Sequence, residues 1–341
     1  LKLDPGFKIS IFASDLDQPR QMIESQNGTI FIGERSGQII ALLDSDGNGQ
    51  ADSKRVIADD LTYSTGVSIF EGDLYFSEIS KIWKIQDIEN WLQKNNSGFP
   101  EKILVSQDLP EDKWHGWKWL QHNAEGDIYT NVGAPCNICI SENPQYASII
   151  RLSDDNWEYV ARGVRNSVGF DFHPETNKLY FGDNGRDWLC DNSPACELNR
   201  VDEAGLFYGF PYQHALHVKD PEYGDLKSGY DYVDPILELG AHVAPTGLAF
   251  YDGEMFPKKY KNNIFITLHG SWNRSKKVGY KVIRVVLDGE GDVVDTKDFI
   301  SGWLDGETVL GRPAAPLIIS DGSLLISDDK ANVIYRITYK Q

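Results

Sequence analysis

Apolar positions along the chain fall into a phrase that recurs six times: a turn, an apolar strand, then a second strand ending on an aliphatic or aromatic residue. It reads as Gly28-Thr-Ile-Phe-Ile with Gln38-Ile-Ile-Ala-Leu, Gly72-Asp-Leu-Tyr-Phe with Lys81-Ile-Trp-Lys-Ile, and Gly126-Asp-Ile-Tyr-Thr with Ser148-Ile-Ile-Arg-Leu. The later copies are Asn177-Lys-Leu-Tyr-Phe with Glu197-Leu-Asn-Arg-Val, Asn263-Ile-Phe-Ile-Thr with Tyr280-Lys-Val-Ile-Arg-Val, and Gly322-Ser-Leu-Leu-Ile with Val333-Ile-Tyr-Arg-Ile. Copies stand roughly 45 to 85 residues apart, the blade scale of propellers rather than the shorter period of ankyrin or leucine-rich arrays. Six similar units arranged radially predict an all-β fold, a six-bladed β-propeller of four-stranded antiparallel blades. The first strand, Phe7-Lys-Ile-Ser-Ile-Phe, lacks a partner of its own and is placed to pair with Tyr335-Arg-Ile-Thr-Tyr, closing the ring and hiding two edges.

Three segments depart from the pattern. Asp87-Ile-Glu-Asn-Trp-Leu-Gln-Lys-Asn-Asn reads as a short helix capped by Asp87, in a loop between blades two and three. Tyr212 to Ala241 carries Pro, Gly, Tyr and Asp without periodicity and predicts an ordered insertion on the rim of a cleft. Asp44-Ser-Asp46-Gly-Asn48-Gly49-Gln50-Ala-Asp52 supplies the first, third, fifth and ninth positions of an EF-hand-like calcium loop with Gly at the sixth, and Gln50 joins the candidate ligands. Its twelfth position is Arg55 instead of a bidentate Glu, and a polar hairpin tip with Asn-Gly turn chemistry reads equally well.

At 341 residues and 41 % hydrophobic content the chain can bury a large core, and because the repeats run end to end they are read as one domain over 1–341. No apolar run approaches the ~20 residues of a membrane span, and no cleavable signal opens the sequence. The chain opens at Leu1 without a Met, which suggests a processed mature form or a chosen start point. A net charge of −18 argues against a nucleic-acid partner, since Lys276-Lys277, the densest basic pair near the proposed site, is ordinary surface. The four cysteines form two close pairs, Cys136 with Cys139 and Cys190 with Cys196. Two local disulfides are favoured over a four-cysteine zinc site, because the second pair lacks compact knuckle spacing. Disulfides imply an oxidising location, periplasmic or extracellular.

A propeller is compatible with many activities, so function is argued from positions shared by every copy. The openings of the innermost strands read Pro19-Arg20, Ser64-Thr65-Gly66, His115-Gly116, Arg165-Asn166, Pro245-Thr246 and Gly311-Arg312, and they should cluster at one mouth of the central channel. A His, an Asn and three Arg converge there, chemistry for an anionic ligand beside a group that moves a proton near neutral pH. Two polar turns face the same mouth, Asp183-Asn184-Gly185-Arg186-Asp187 and His269-Gly270-Ser271-Trp272-Asn273-Arg274. Both combine Gly, which admits a ligand close to backbone, with Arg for carboxylates, and their carbonyls are hard-cation ligands.

The string Ala161-Arg-Gly-Val-Arg-Asn-Ser-Val-Gly-Phe, then Tyr180-Phe-Gly-Asp-Asn-Gly-Arg-Asp and Glu197-Leu-Asn-Arg, resembles the PQQ-dependent glucose/sorbosone dehydrogenase family. So do His115-Gly-Trp-Lys-Trp, Phe265-Ile-Thr-Leu-His-Gly-Ser-Trp-Asn-Arg with Gly279-Tyr-Lys-Val, and Gly311-Arg-Pro with Asp321-Gly-Ser-Leu-Leu-Ile-Ser-Asp-Asp. The resemblance covers the whole chain in order, and the soluble, sorbosone dehydrogenase-like aldose dehydrogenases are its nearest branch. It implies that His115 is the catalytic base, and that Arg165 and Asn166 hold the quinone, with Arg165 also stabilising the developing oxyanion. Arg312 and Arg274 match contacts to PQQ carboxylates, while Asn184, His269 and Thr65 join the cofactor set. Gly185 and Arg186 fall where backbone carbonyls hold the Ca2+ bound to the cofactor, and Glu197 and Tyr208 match a structural calcium site.

The chain departs from the family where an acidic residue usually precedes Glu-Leu-Asn. Cys196 stands there, so a Cys190–Cys196 bridge is expected to replace a lost carboxylate. Ala314 replaces a second Arg, and Thr65 stands where a larger amide is common. The implied activity is oxidation of a small-molecule aldose or sugar aldehyde, with electrons passed to an external acceptor by a monomer or homodimer. Two other classes stay open: a calcium-dependent lactonase, which would need carboxylate-rich inner strands, and a propeller that only binds a sugar or a partner.

Overall fold

Each apolar phrase forms the two middle strands of an antiparallel sheet in the computed structural model, which describes residues 1–94, 97–226 and 229–340. These pairs are Ile30–Glu34 with Ile39–Leu43, Asp73–Ser77 with Ile82–Ile85, Ile128–Val132 with Ser148–Ser153, Leu179–Asp183 with Ala195–Arg200, Ile264–Leu268 with Lys281–Leu287, and Leu324–Asp328 with Val333–Tyr339. The innermost strands are Pro19–Glu24, Val67–Phe70, Leu120–His122, Phe170–Phe172, Pro245–Phe250 and Pro313–Ile318. The result is a six-bladed propeller.

Blades stack face to face, so the second strand of a blade is covered on both sides and alternation gives way to a continuous apolar run. Ile30–Glu34, Ile128–Val132, Leu179–Asp183, Ile264–Leu268 and Leu324–Asp328 are buried at every position, with Phe31, Phe181 and Phe265 wholly so. Truncating such a Phe to Ala costs about 3–5 kcal/mol. The turn into this strand needs a left-handed residue, and Gly126 (φ 92°) and Asn177 (φ 54°) supply it in blades three and four. Nearer the axis the inner strands touch through backbone, since a Cβ on Gly169 would lie 2.6 Å from Gly247 Cα.

Closure follows the expectation from the sequence. Phe7–Ala13 pairs with Val333–Tyr339, with Phe7 opposite Tyr339 and Ile9 opposite Ile337, and so becomes the outer strand of blade six. Lys2–Leu3 adds to the outer edge of blade five.

Two expectations are corrected. The helix spans Ile88–Gln93 and lies inside blade two, between its third strand and its outer strand Ile103–Ser106, because it bridges two antiparallel neighbours rather than two blades. Asp87 precedes it at φ 44° without a side-chain cap, its N–H donating instead to Asp73, while Asn95 and Asn96 fall outside the described residues. The insertion is also shorter than predicted. Leu237–Ala241 is the outer strand of blade four, and the detour before it adds Leu206–Phe207 in parallel to blade three and forms the small hairpin of Gln213–His214 with Val218–Lys219. Among the described residues no helix is long and apolar enough to cross a membrane.

Candidate active site

The segments leading into the six inner strands begin at one end of the channel, and there the predicted groups separate into two clusters. His115 lies five residues before its strand, in a left-handed backbone conformation (φ 52°) that is costly for a side chain. Its ring Nδ1–H donates to the Ala134 carbonyl at 2.8 Å, which fixes the tautomer and leaves Nε2 as the basic nitrogen. Burial, and secondarily the charge of Arg165, lowers its pKa to about 3, so the imidazole is neutral at pH 7. Gly133 is required beside it, because a Cβ there would lie 2.5 Å from His115 Cβ and 3.3 Å from Asn166 Oδ1.

Ala134 links this base to the next blade by donating its N–H to the Arg165 carbonyl at 2.8 Å. The Asp183 carboxylate accepts the successive N–H groups of Arg165 (2.8 Å) and Asn166 (2.7 Å), which sets the turn that presents both side chains. Burial raises the Asp183 pKa to about 6 against these hydrogen bonds. The buried Arg165 guanidinium donates to Asn137 O (2.9 Å), Asn137 Oδ1 (2.9 Å), Asn184 O (3.0 Å) and Asp187 (3.1 Å). Asn184 in turn donates through Nδ2 to the carbonyls of Asn166 and Pro245, tying blades four and five. Asn166 Oδ1 is buried without a partner.

Asn137 sits between Cys136 and Cys139, which are joined in a disulfide. The closed loop therefore presents two of the four acceptors that Arg165 uses. A loop so short contributes only about 2 kcal/mol through the unfolded state, so reduction is expected to perturb Arg165 and lower activity before the propeller unfolds. Near-ultraviolet dichroism and turnover followed together during dithiothreitol titration check this; simultaneous loss of both would contradict it.

The second cluster joins blades one, five and six around Asp329. This carboxylate meets Arg20 at 2.7 Å, His269 Nε2 at 2.8 Å and Arg35 at 3.7 Å. Burial pushes its pKa up, but Arg20 and His269 outweigh that and hold it well below the usual carboxylate range. Burial lowers His269 to about 4 despite Asp329. Half-buried Arg312 donates to the carbonyls of His269 (3.2 Å) and Gly270 (2.7 Å), and its guanidinium lies 5.5 Å from the centre of the Tyr280 ring.

Other candidates lie apart from these clusters. The Arg186 side chain turns to a buried ion pair with Asp220, which also meets His214 at 2.9 Å. Arg274 clamps the neighbouring loop through Asp191 O (2.7 Å), Asn192 Oδ1 (2.6 Å) and Lys276 O (2.9 Å). Thr65 donates to Lys118 O inside the channel, below the mouth. Glu197 stands directly across from Asp183 in blade four, where burial and then the Asp183 charge raise its pKa to about 8. It accepts from Ala215 N (2.6 Å) and Asn199 Nδ2 (3.0 Å), while the Tyr208 hydroxyl donates to Arg200 O at 2.9 Å. The tip 44–52 is a hairpin within blade one. Oxygens of Asp44, Asp46 and Asp52 lie within 4.8 Å of one another, and its own N–H groups at Asn48 and Gly49 donate to Asp44, with Gln50 N–H donating to Asn48.

The expected Cys190–Cys196 bridge is not formed. Cys196 sits mid-strand with its thiol buried in the core between blades four and five, accepting N–H groups of Gly185 and Ala244, whereas Cys190 is exposed in a tight turn with Ser193. The four cysteines thus form neither two disulfides nor a common zinc site.

Sequence reasoning assigned no role to Asn137, Asp187 and Asp329, which hold Arg165 and Arg20, or to Arg35, a second cation on Asp329. Asn137 could have been noticed from its place in Cys-x-x-Cys, but Asp329 and Arg35 meet only after the ring closes. Exposed tryptophans also gather there: Trp188, just beyond the first polar turn, meets Trp272 of the second edge to face at 5.2 Å, and Trp114 lies against His115. A cavity of about 640 Å3 occupies the opposite mouth, lined by Gln121, His122, Tyr129 and Asp171, away from His115.

Comparison with known proteins agrees with the six-bladed fold. Residues 213–301 match the family described as TrAA12-like. A protein of Borreliella burgdorferi described only as uncharacterized is 35 % identical over 354 residues, covering 100 % of this chain and 91 % of its own length. The fold is similar to the holo PQQ domain of pyranose dehydrogenase from Coprinopsis cinerea (TM-score 0.81, 18 % identity, 99 % of this chain and 96 % of that one). It is also similar to the apo soluble aldose sugar dehydrogenase of Escherichia coli (TM-score 0.70, 16 % identity, 98 % and 100 %).

Proposed function

We propose that the chain belongs to the PQQ-dependent glucose/sorbosone dehydrogenase family that its motifs resemble and whose fold it shares, and that it is a PQQ- and calcium-dependent oxidoreductase acting on an aldose or sugar aldehyde, with His115 as general base. The observation that carries the reading is the state of His115: neutral, tautomer fixed through Nδ1, and Nε2 left to accept a proton. A sugar C1 hydroxyl is too weak an acid to ionise at pH 7, so its oxidation needs such a base within hydrogen-bond reach.

The residues present fit the cofactor. Asn166 Oδ1 is a buried acceptor and Arg20 Nε–H a buried donor, both unpartnered, Gly133 lets His115 and Asn166 pack close together, and Arg312 offers a guanidinium at the rim. The carboxylates of a flat triacid would accept from the two arginines, and a ring N–H of such a ligand would donate to Asn166 Oδ1. Gly185 and Arg186 would hold calcium through their carbonyls, since the Arg186 side chain is engaged elsewhere. When bound, PQQ with its calcium supplies an electrophilic quinone carbonyl that accepts hydride. Arg165 contributes a fixed positive charge beside His115 that favours oxyanion character and keeps the imidazole unprotonated between turnovers. Its hydrogen bonds to Asn137, Asn184 and Asp187 pre-organise that charge.

Ala314 is wholly buried, with its carbonyl accepting from Thr246 and Thr267, so the second family arginine has no counterpart in space either. Recognition of the cofactor's carboxylates then rests on Arg312 and the Arg20 cluster. The Cys136–Cys139 disulfide supports a periplasmic or extracellular location; finding both as thiols in freshly isolated protein would count against it. Equilibrium binding of PQQ with calcium present tests the function: one cofactor per chain is expected, and no saturable binding would sink the proposal.

A further inference from the structure

Beneath the mouth, the channel narrows to a cavity of about 10 Å3 lined by Arg20, Thr65, Lys118, Trp119 and Thr246 among others. That is the volume of roughly one water-sized occupant. The groups around it are unusual in what they leave over. Lys118 is 3 % exposed, and its ammonium donates to one acceptor, the Gly116 carbonyl at 3.1 Å. Burial alone lowers its pKa to about 8, with no carboxylate acting against that shift, so at neutral pH it is mainly a buried cation without a counter-charge. Trp119 is 6 % exposed and its Nε1–H has no acceptor; Arg20 meets Asp329 through its terminal nitrogen, but its Nε–H has none either.

The acceptors lining the cavity are already engaged. Gln21 Oε1 accepts the N–H groups of Val67 and Leu120, and the hydroxyls of Thr65 and Thr246 are turned to the carbonyls of Lys118 and Ala314. Among the residues lining this cavity, donors therefore outnumber free acceptors, and one of those donors carries an uncompensated charge. Leaving a buried ammonium in that state costs several kcal/mol, and a neutral water would satisfy hydrogen bonds without offsetting the charge.

We infer that the channel floor is an anion site, in which Lys118, Trp119 and Arg20 hold one compact monovalent anionic group, either a free halide or a carboxylate reaching down from a ligand in the mouth. The site goes beyond the proposed dehydrogenase reading, and in its halide form it stands whether or not the chain oxidises sugars. It also explains how an acidic chain keeps a lysine in its axis: the local donor excess, not the net charge of −18, sets the potential there.

The test uses chloride as the probe, through the 35Cl NMR line width of apoprotein titrated with NaCl, together with PQQ affinity. Saturable broadening is expected in the wild type. It should vanish in Lys118→Met and weaken at least threefold in Trp119→Phe, which removes only an N–H from a similar shape and guards against a folding defect in the first variant. If the occupant is a cofactor carboxylate, PQQ removes the broadening and Lys118→Met weakens PQQ at least tenfold; if it is a free ion, broadening persists with PQQ bound. Broadening that survives Lys118→Met would overturn the inference. So would its absence in the wild type combined with unchanged PQQ affinity in both variants.

Discussion

Replacing His115 with Gln is expected to lower kcat by ~10²-fold or more while leaving PQQ affinity nearly unchanged, because the amide keeps a polar group in place but cannot take a proton. The hydrogen bond from Nδ1 to Ala134 and the pKa near 3 assign the base to Nε2 and make it available across the physiological range. The acid limb of kcat/KM should therefore lie well below the ordinary histidine value, with no loss between pH 7 and 5 attributable to this ring. A variant that binds PQQ poorly but turns over normally at saturation would make His115 an anchor instead of a base. An acid limb centred near 6.5 would show that the ring is not held neutral by its surroundings.

Arg165→Met should lower unfolding stability by about 3–5 kcal/mol, the range for removing one partner from a buried charged network. The substitution strips donors from Asn137, Asn184 and Asp187 at once, and it removes a charge that, after burial, helps to keep the imidazole neutral. Denaturant unfolding of apoprotein measures the effect without any cofactor. A loss below about 1 kcal/mol would mean that the loops are held by their own turns and that Arg165 is not the strut at the mouth.

The fold was legible because blade stacking leaves a continuous apolar second strand, a signal that survives in each copy. Closure by Phe7–Ala13 was legible for a related reason: an unpaired apolar strand needs a partner, and the last strand offered one. Placing the helix outside blade two failed because a six-residue helix between antiparallel strands has the same local sequence as one between blades. The cysteines show the limit of spacing as a guide. Cys136 and Cys139 share one loop and bond, whereas Cys196 is committed to a strand whose side chain faces the core, and spacing does not encode that direction. At the mouth, the openings of the inner strands announced His115, Arg165 and Arg312, since strand register is a local property. Their partners were hidden. Asp329 meets Arg20 only when blade six returns to blade one, and Lys118 looks like surface charge until the channel encloses it.

The central claim is that this mouth binds PQQ with calcium and oxidises sugars using His115. Its most direct test is sugar-dependent dye reduction by protein titrated with PQQ and calcium, across a panel of aldoses and sugar aldehydes, with His115→Gln as the paired control. The account predicts activity that saturates with cofactor for at least one sugar and falls ~10²-fold in the variant. No reduction with any sugar at saturating PQQ and calcium, or equal rates for the variant and the wild type, would contradict it.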